Sequence, residues 1–109
     1  MARRIVEEQN YQLGRRLKYL RENCLHLSQR EFAGYVGMKA DRYNALENGE
    51  RIMNQRFIVN IFSFYENLGV SFATITAKEF NKGDVSKTVL DNLEAIQSYS
   101  PPNFSTIIF

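Results

Sequence analysis

Apolar residues recur along most of this chain at helical spacing, and no stretch alternates in the way of a half-buried strand until the last few residues. Leu13, Leu17 and Leu20 fall at i, i+4 and i+7, which predicts a first helix from about Ile5 or Val6 to Asn23. Phe32, Ala33 and Val36 share the next face, behind Ser28, whose hydroxyl suits the start of a helix. Gly37 follows at once, and a sharp reversal there needs a backbone with φ > 0, which glycine adopts without a Cβ clash. Met38 is the apolar plug after the turn. A further helix is expected from about Lys39 to Asn48, with Tyr43, Leu46 and Glu47 on one side. Ala40, Asp41, Asn44, Ala45 and Asn48 lie on the other, and Gly49 is the expected stop.

The pattern continues to the C-terminal end. Asn54 is the expected cap of a long helix from Gln55 to Leu68, with Ile58, Ile61, Phe62, Tyr65 and Leu68 as its apolar stripe. Phe57 and Phe64 widen that stripe beyond one core face. A short helix from Phe72 to about Lys78 comes next, and 81–84 reads as a turn. Asp84 or Ser86 should then cap one last helix to about Ser98, carrying Val89, Leu93 and Ile96, before Pro101 and Pro102. The tail 103–109 leans toward β structure, as a strand paired across a dimer or as a disordered end. The fold class predicted from periodicity is all-α. Two segments follow: a helix-turn-helix unit over 1–75, with 1–10 as an N-terminal arm, and a C-terminal helix and tail over 76–109.

Two helices joined by a glycine turn are the plan of a helix-turn-helix. Residues 28–49 resemble the phage-repressor helix-turn-helix family, the Xre type that includes the lambdoid repressors and Cro. The resemblance rests on Leu27-Ser28-Gln29 at the opening, Phe32-Ala33, Gly37-Met38 at the turn and Glu47-Asn48-Gly49 at the close. Upstream, Leu13-Gly14-Arg15-Arg16-Leu17 and Leu20-Arg21 match the first helix of that family; downstream, Leu68-Gly69-Val70-Ser71 matches the end of its fourth. It covers roughly 13–75 and implies a lambda-repressor-like five-helix bundle, here with an added C-terminal helix. The connector Cys24-Leu25-His26 departs from the family by about one extra residue and by lacking its common glycine.

The resemblance also implies a partner, double-stranded DNA, and a set of contacts. Ser28 and Gln29 at the start of the motif, and Lys39, Ala40, Asp41, Asn44 and Ala45 on the second helix, would meet the duplex. Gln29 and Asn44 can pair bidentately with adenine, Asp41 can accept from cytosine N4, and the alanine methyls can pack on thymine. Arg42, Asn48 and Arg51 suit phosphates. The first ten residues extend beyond the family pattern, as an arm reaching the DNA backbone through Arg3 and Arg4 or as a longer first helix. The reading face is small and not basic, and Asp41 repels phosphate. Arg21 and Glu47 match the family's pair between the first helix and the end of the motif, and are expected to form a partly buried ion pair.

Charge sharpens this picture. The chain of 109 residues has a net charge of +2. Residues 1–56 hold 11 Lys and Arg against 7 Asp and Glu, net +4, and residues 57–109 hold 3 against 5, net −2. The candidate DNA motif therefore lies in the basic half, as phosphate neutralisation requires. The length suits one domain with a real core. No 18-residue apolar run suggests a membrane span, and the N-terminus does not lead into the apolar core of a signal peptide. A lone cysteine, Cys24, fits a reducing interior, and the expected location is the cytoplasm.

No metal or cofactor is expected, since His26 is the single histidine and has no recurring ligand spacing around it. No phosphate-binding glycine loop or nucleophile elbow is present, so an enzyme is not expected. The reading is a sequence-specific transcriptional regulator, a repressor binding a palindromic operator as a homodimer. Phe57, Phe64 and the terminal helix are the expected dimer contact, unless that helix packs back on its own domain. An antitoxin or a restriction–modification controller would share the motif, and for the antitoxin a cognate toxin would be a protein partner over 76–109. A protein-interaction module that has lost DNA affinity is the reading from another class.

Overall fold

The computed structural model describes residues 2–50 and 55–99, all of them in helices or the turns between helices. Helix α1 spans Ala2–Tyr19 and runs on without a break into a π-helical stretch, Leu20–Leu25. This corrects the expected end at Asn23 and the open connector after it. The wider π turn absorbs the additional residue of the connector while keeping Leu20, Arg21, Cys24 and Leu25 buried. His26 then reverses the chain in the left-handed region, with φ 54°, a conformation glycine would adopt without a Cβ clash. For a residue with a Cβ that conformation costs about 1–2 kcal/mol.

Helix α2, Gln29–Tyr35, starts at a reciprocal cap. The Ser28 hydroxyl accepts from the Glu31 amide at 3.1 Å, and the Ser28 amide donates to Glu31 Oε1 at 2.9 Å. Gly37 has φ 68°, as the turn requires, and the Met38 amide closes it by donating to the Ala33 carbonyl at 2.9 Å. Helix α3 is Ala40–Glu47, ended by Asn48 and by Gly49 at φ 74°. Helix α4, Gln55–Asn67, buries Ile61, Phe62, Tyr65 and Leu68 as predicted. The side chains of Phe57 and Ile58, and Asn54 before them, lie outside the described residues, as do the side chains of Arg3 and Arg4, residue Arg51, Pro101, Pro102 and the tail 103–109.

Helix α5, Phe72–Thr76, is capped by Ser71, whose hydroxyl accepts from the Thr74 amide. The last part of the chain departs from the single helix expected there. Asn81, not Asp84 or Ser86, is the cap: its Oδ1 accepts from the Asp84 amide at 3.0 Å and starts α6, Lys82–Asp91. Asn92 then leaves helical geometry, and Leu93–Ser98 tightens into a 3-10 helix.

The core explains why the apolar residues after position 56 outnumber one helix face. Phe64 is buried inside the chain, with its ring centroid 5.1 Å from Phe32, 5.5 Å from Tyr65 and 5.2 Å from Tyr99. Such edge-to-face sets add to simple burial. Phe64 is thus unavailable as the dimer contact expected of it. The apolar face of α6 is likewise spent at home: Val85 and Val89 are buried, and the Tyr19 hydroxyl meets Ser86 Oγ at 3.0 Å beside the π turn. The terminal helix packs back on its own domain.

Candidate nucleic-acid interface

The helix-turn-helix is held from behind by side chains that leave its front free. Phe32 of α2 and Tyr43 of α3 are fully buried with ring centroids 4.8 Å apart, which sets the distance between the two helices. The turn is tied to α4 by Asn60, whose Nδ2 donates to the Val36 carbonyl at 2.7 Å. On the other side α1 approaches α3 at Gly14. A Cβ there would lie 2.3 Å from the Glu47 carbonyl oxygen and 2.7 Å from that of Leu46, so no other residue fits without moving the helices apart.

Glu47 is the hub of this support. Its carboxylate accepts from Arg21 Nε at 2.7 Å and Nη2 at 3.0 Å, and from Gln29 Nε2 at 2.9 Å. Arg21 Nη1 also donates to the Leu27 carbonyl at 2.8 Å, fixing the strip of chain that leads into α2. The expected pair is therefore present and more deeply buried than predicted, with Arg21 5% and Glu47 4% exposed. Burial works to raise the Glu47 carboxyl, but the hydrogen bonds it accepts outweigh burial and hold it below the ordinary 4.5. The bond to Glu47 in turn raises Arg21 further above its ordinary value.

The front of α3 presents Lys39, Asp41, Arg42, Asn44 and Asn48 as exposed residues. Ala45 is half-buried. Ala40 is half-buried and packs against the core, so part of its methyl group faces inward. Asn48 Nδ2 approaches Asn44 Oδ1 at 3.4 Å, which lines up the two amides along one face. Asp41 has a local role: α3 lacks a capping side chain at Lys39, and Asp41 Oδ1 instead accepts from the Arg42 amide at 2.9 Å. A carboxylate near a helix N-terminus is favourable there. Ser28 is exposed at the start of α2, with its oxygen engaged in the cap. Gln29 is half-buried and commits one amide hydrogen to Glu47. Of the contacts expected from the sequence, Gln29 is tied to the end of α3 through Glu47, and Arg51 lies outside the described residues.

Several supporting residues were not singled out by sequence reasoning. Asn60 falls among apolar neighbours on α4 and carries no motif signal. Glu31 was detectable through the Ser-x-x-Glu spacing of a capping box. Arg16 appeared within the family pattern without a role. It donates through Nη1 to the Ile75 and Ala77 carbonyls, both at 2.7 Å, and through Nη2 to Lys78 at 3.3 Å, so it joins α1 to the end of α5.

Among the described residues no group of three His, Cys, Asp or Glu side chains could hold a metal ion. No described helix is long and apolar enough to cross a membrane. No curated protein and no solved structure matches the chain. A family model described as a helix-turn-helix domain matches residues 12–72, more than half of the chain and the span that runs from α1 to the start of α5. With α2, the glycine turn and the outward-facing α3 inside that span, the chain belongs to the helix-turn-helix domain family, a family of DNA-binding proteins.

Proposed function

We propose that the chain is a sequence-specific transcriptional regulator of the Xre type that represses by occupying a palindromic operator as a dimer. The observation that carries this reading is the division of α3 into two faces. Tyr43, Leu46 and Glu47 are buried, while Asp41, Asn44 and Asn48 are exposed on the opposite face. A helix held this rigidly can present Asn44 to an adenine edge, with Gln29 as a second reader and Lys39 and Arg42 as phosphate contacts. One such helix reads too few bases to be selective alone, hence the dimer, with half-sites about 34 Å apart. With Phe64 and the Val85–Val89 face occupied within the chain, Val59, Phe72 and Leu90 are, among the described residues after position 56, the large exposed apolar ones left to support such a contact.

Selection of bound duplexes from a random pool tests the reading. A recovered palindrome supports operator binding by a dimer, and a pool that stays random speaks against it. The exposed Asp41 on the reading face favours a second reading, a module that binds protein instead of DNA. A steep fall of duplex affinity with salt separates the two, because phosphate contacts release counterions. An antitoxin or a restriction–modification controller would pass the same tests; the antitoxin would differ by a cognate toxin on 76–109.

A further inference from the structure

A second basic region involves α1 and the segment after α5, with none of its lining residues on α3. A cleft of about 660 Å³ opens between α1 and the segment that joins α5 to α6, lined by Arg15, Arg16, Lys78 and Lys82, with Phe80 as an apolar wall. Glu8 is the one carboxylate lining it among the described residues. Its size is that of a small-molecule site. A concave surface with cations on several sides concentrates field and attracts anions more strongly than the same charges on a flat face.

Two of the charges, those of Arg16 and Lys82, are held in place. Arg16 spends its donors on the carbonyls of residues 75, 77 and 78, which fixes the backbone under Lys78. Its guanidinium lies over the Phe80 ring, 5.0 Å from the centroid. The Lys82 ammonium lies 4.9 Å from the centroid of the Tyr19 ring. Arg15, Lys78 and Lys82 are exposed, so their ammonium and guanidinium groups remain available to a ligand.

Tyr11 and Gly14 face Gly49 and the end of α3. Glu8 and Arg15 share a helix face with Tyr11, so the cleft begins beside that contact and opens away from it. Arg16 points to α5, on another side of the helix from Gly14.

We propose that this cleft binds a phosphorylated small molecule, with Arg15, Lys78 and Lys82 taking the phosphate oxygens. The site does not rest on the DNA-binding reading and would exist in a chain that bound no DNA.

The test is titration of the full-length chain with sodium pyrophosphate at constant ionic strength, followed by calorimetry and by amide chemical shifts. The expected result is saturable binding, with the shifts concentrated at Arg15, Lys78, Phe80 and Lys82. K78S/K82S should weaken binding at least tenfold, and R30S/K87S, which removes the same charge from exposed positions outside the cleft and outside the α3 face, should leave it unchanged. Circular dichroism checks that both variants stay folded. Shifts that rise linearly without saturation, or equal weakening by the two variants, overturn the proposal and mean screening of net charge alone. If K78S/K82S instead lowers affinity for random-sequence duplex while pyrophosphate shows no saturable binding, the cleft serves the DNA backbone and the small-molecule site is likewise overturned.

Discussion

Arg21 grips Glu47 through two parallel hydrogen bonds, Nε to Oε2 at 2.7 Å and Nη2 to Oε1 at 3.0 Å, and so joins the π turn after α1 to the last residue of α3. Removing one partner leaves a buried charge uncompensated, which costs on the order of 3 kcal/mol. Glu47→Ala is expected to lower the melting temperature and, since Gln29 loses its acceptor too, to weaken duplex binding in parallel. Unchanged values for both would remove the pair from the account.

The same pair sets an acid limit. Glu47 binds its proton less readily in the folded chain than in the unfolded one, where its value is near the ordinary 4.5. Its stabilising contribution is therefore complete above that value and is lost as the pH falls through the lowered folded value. Urea midpoints measured from pH 6 downward should fall below about pH 4.5. Glu47→Gln should flatten that part of the curve.

Gly14 marks where α1 and α3 come closest, with a missing Cβ that would sit 2.3 Å from a backbone oxygen. Gly14→Ala must push two helices apart, and overpacking of this kind costs about 1–3 kcal/mol. Chemical denaturation would register the loss. Gly34→Ala serves as the control, because nothing lies within 4 Å of a Cβ at that position.

Gly37 stands at φ 68° between the two motif helices. A β-branched residue resists that conformation, so Gly37→Val is expected to destabilise the domain by more than about 1 kcal/mol. Equal stability of the variant would show that the turn can be made another way.

On the proposed DNA face, Asn44 and Arg42 should behave differently. Asn44→Ala is expected to cost about 1–3 kcal/mol of binding at one base position while leaving stability unchanged, since the residue is exposed. Arg42→Ala should weaken binding to all sequences alike and reduce the salt slope by about 1. Fluorescence anisotropy on the selected duplex and on single-base variants reads both.

The local order of this chain was decided by short-range chemistry, and the sequence carried it. The Leu13, Leu17 and Leu20 spacing, the cap at Ser28, the glycines at 37 and 49, and the inward set Tyr43, Leu46 and Glu47 all work within a few residues, where the physics of one helix or one turn is enough. The matched positions Arg21 and Glu47 pointed to their contact across the fold.

What only the tertiary structure decided depends on which element packs on which. Phe64 and the Val85–Val89 face look like surplus apolar surface in sequence and are interior once α4 and α6 have found their neighbours. The π stretch at Leu20–Leu25, which keeps Leu20, Arg21, Cys24 and Leu25 buried, has no signature in the spacing of α1. Arg16, with its carbonyl partners about sixty positions away, has no local signature at all. Helical periodicity says that a residue is on a face; only packing says whether that face ends against the chain itself or against something else.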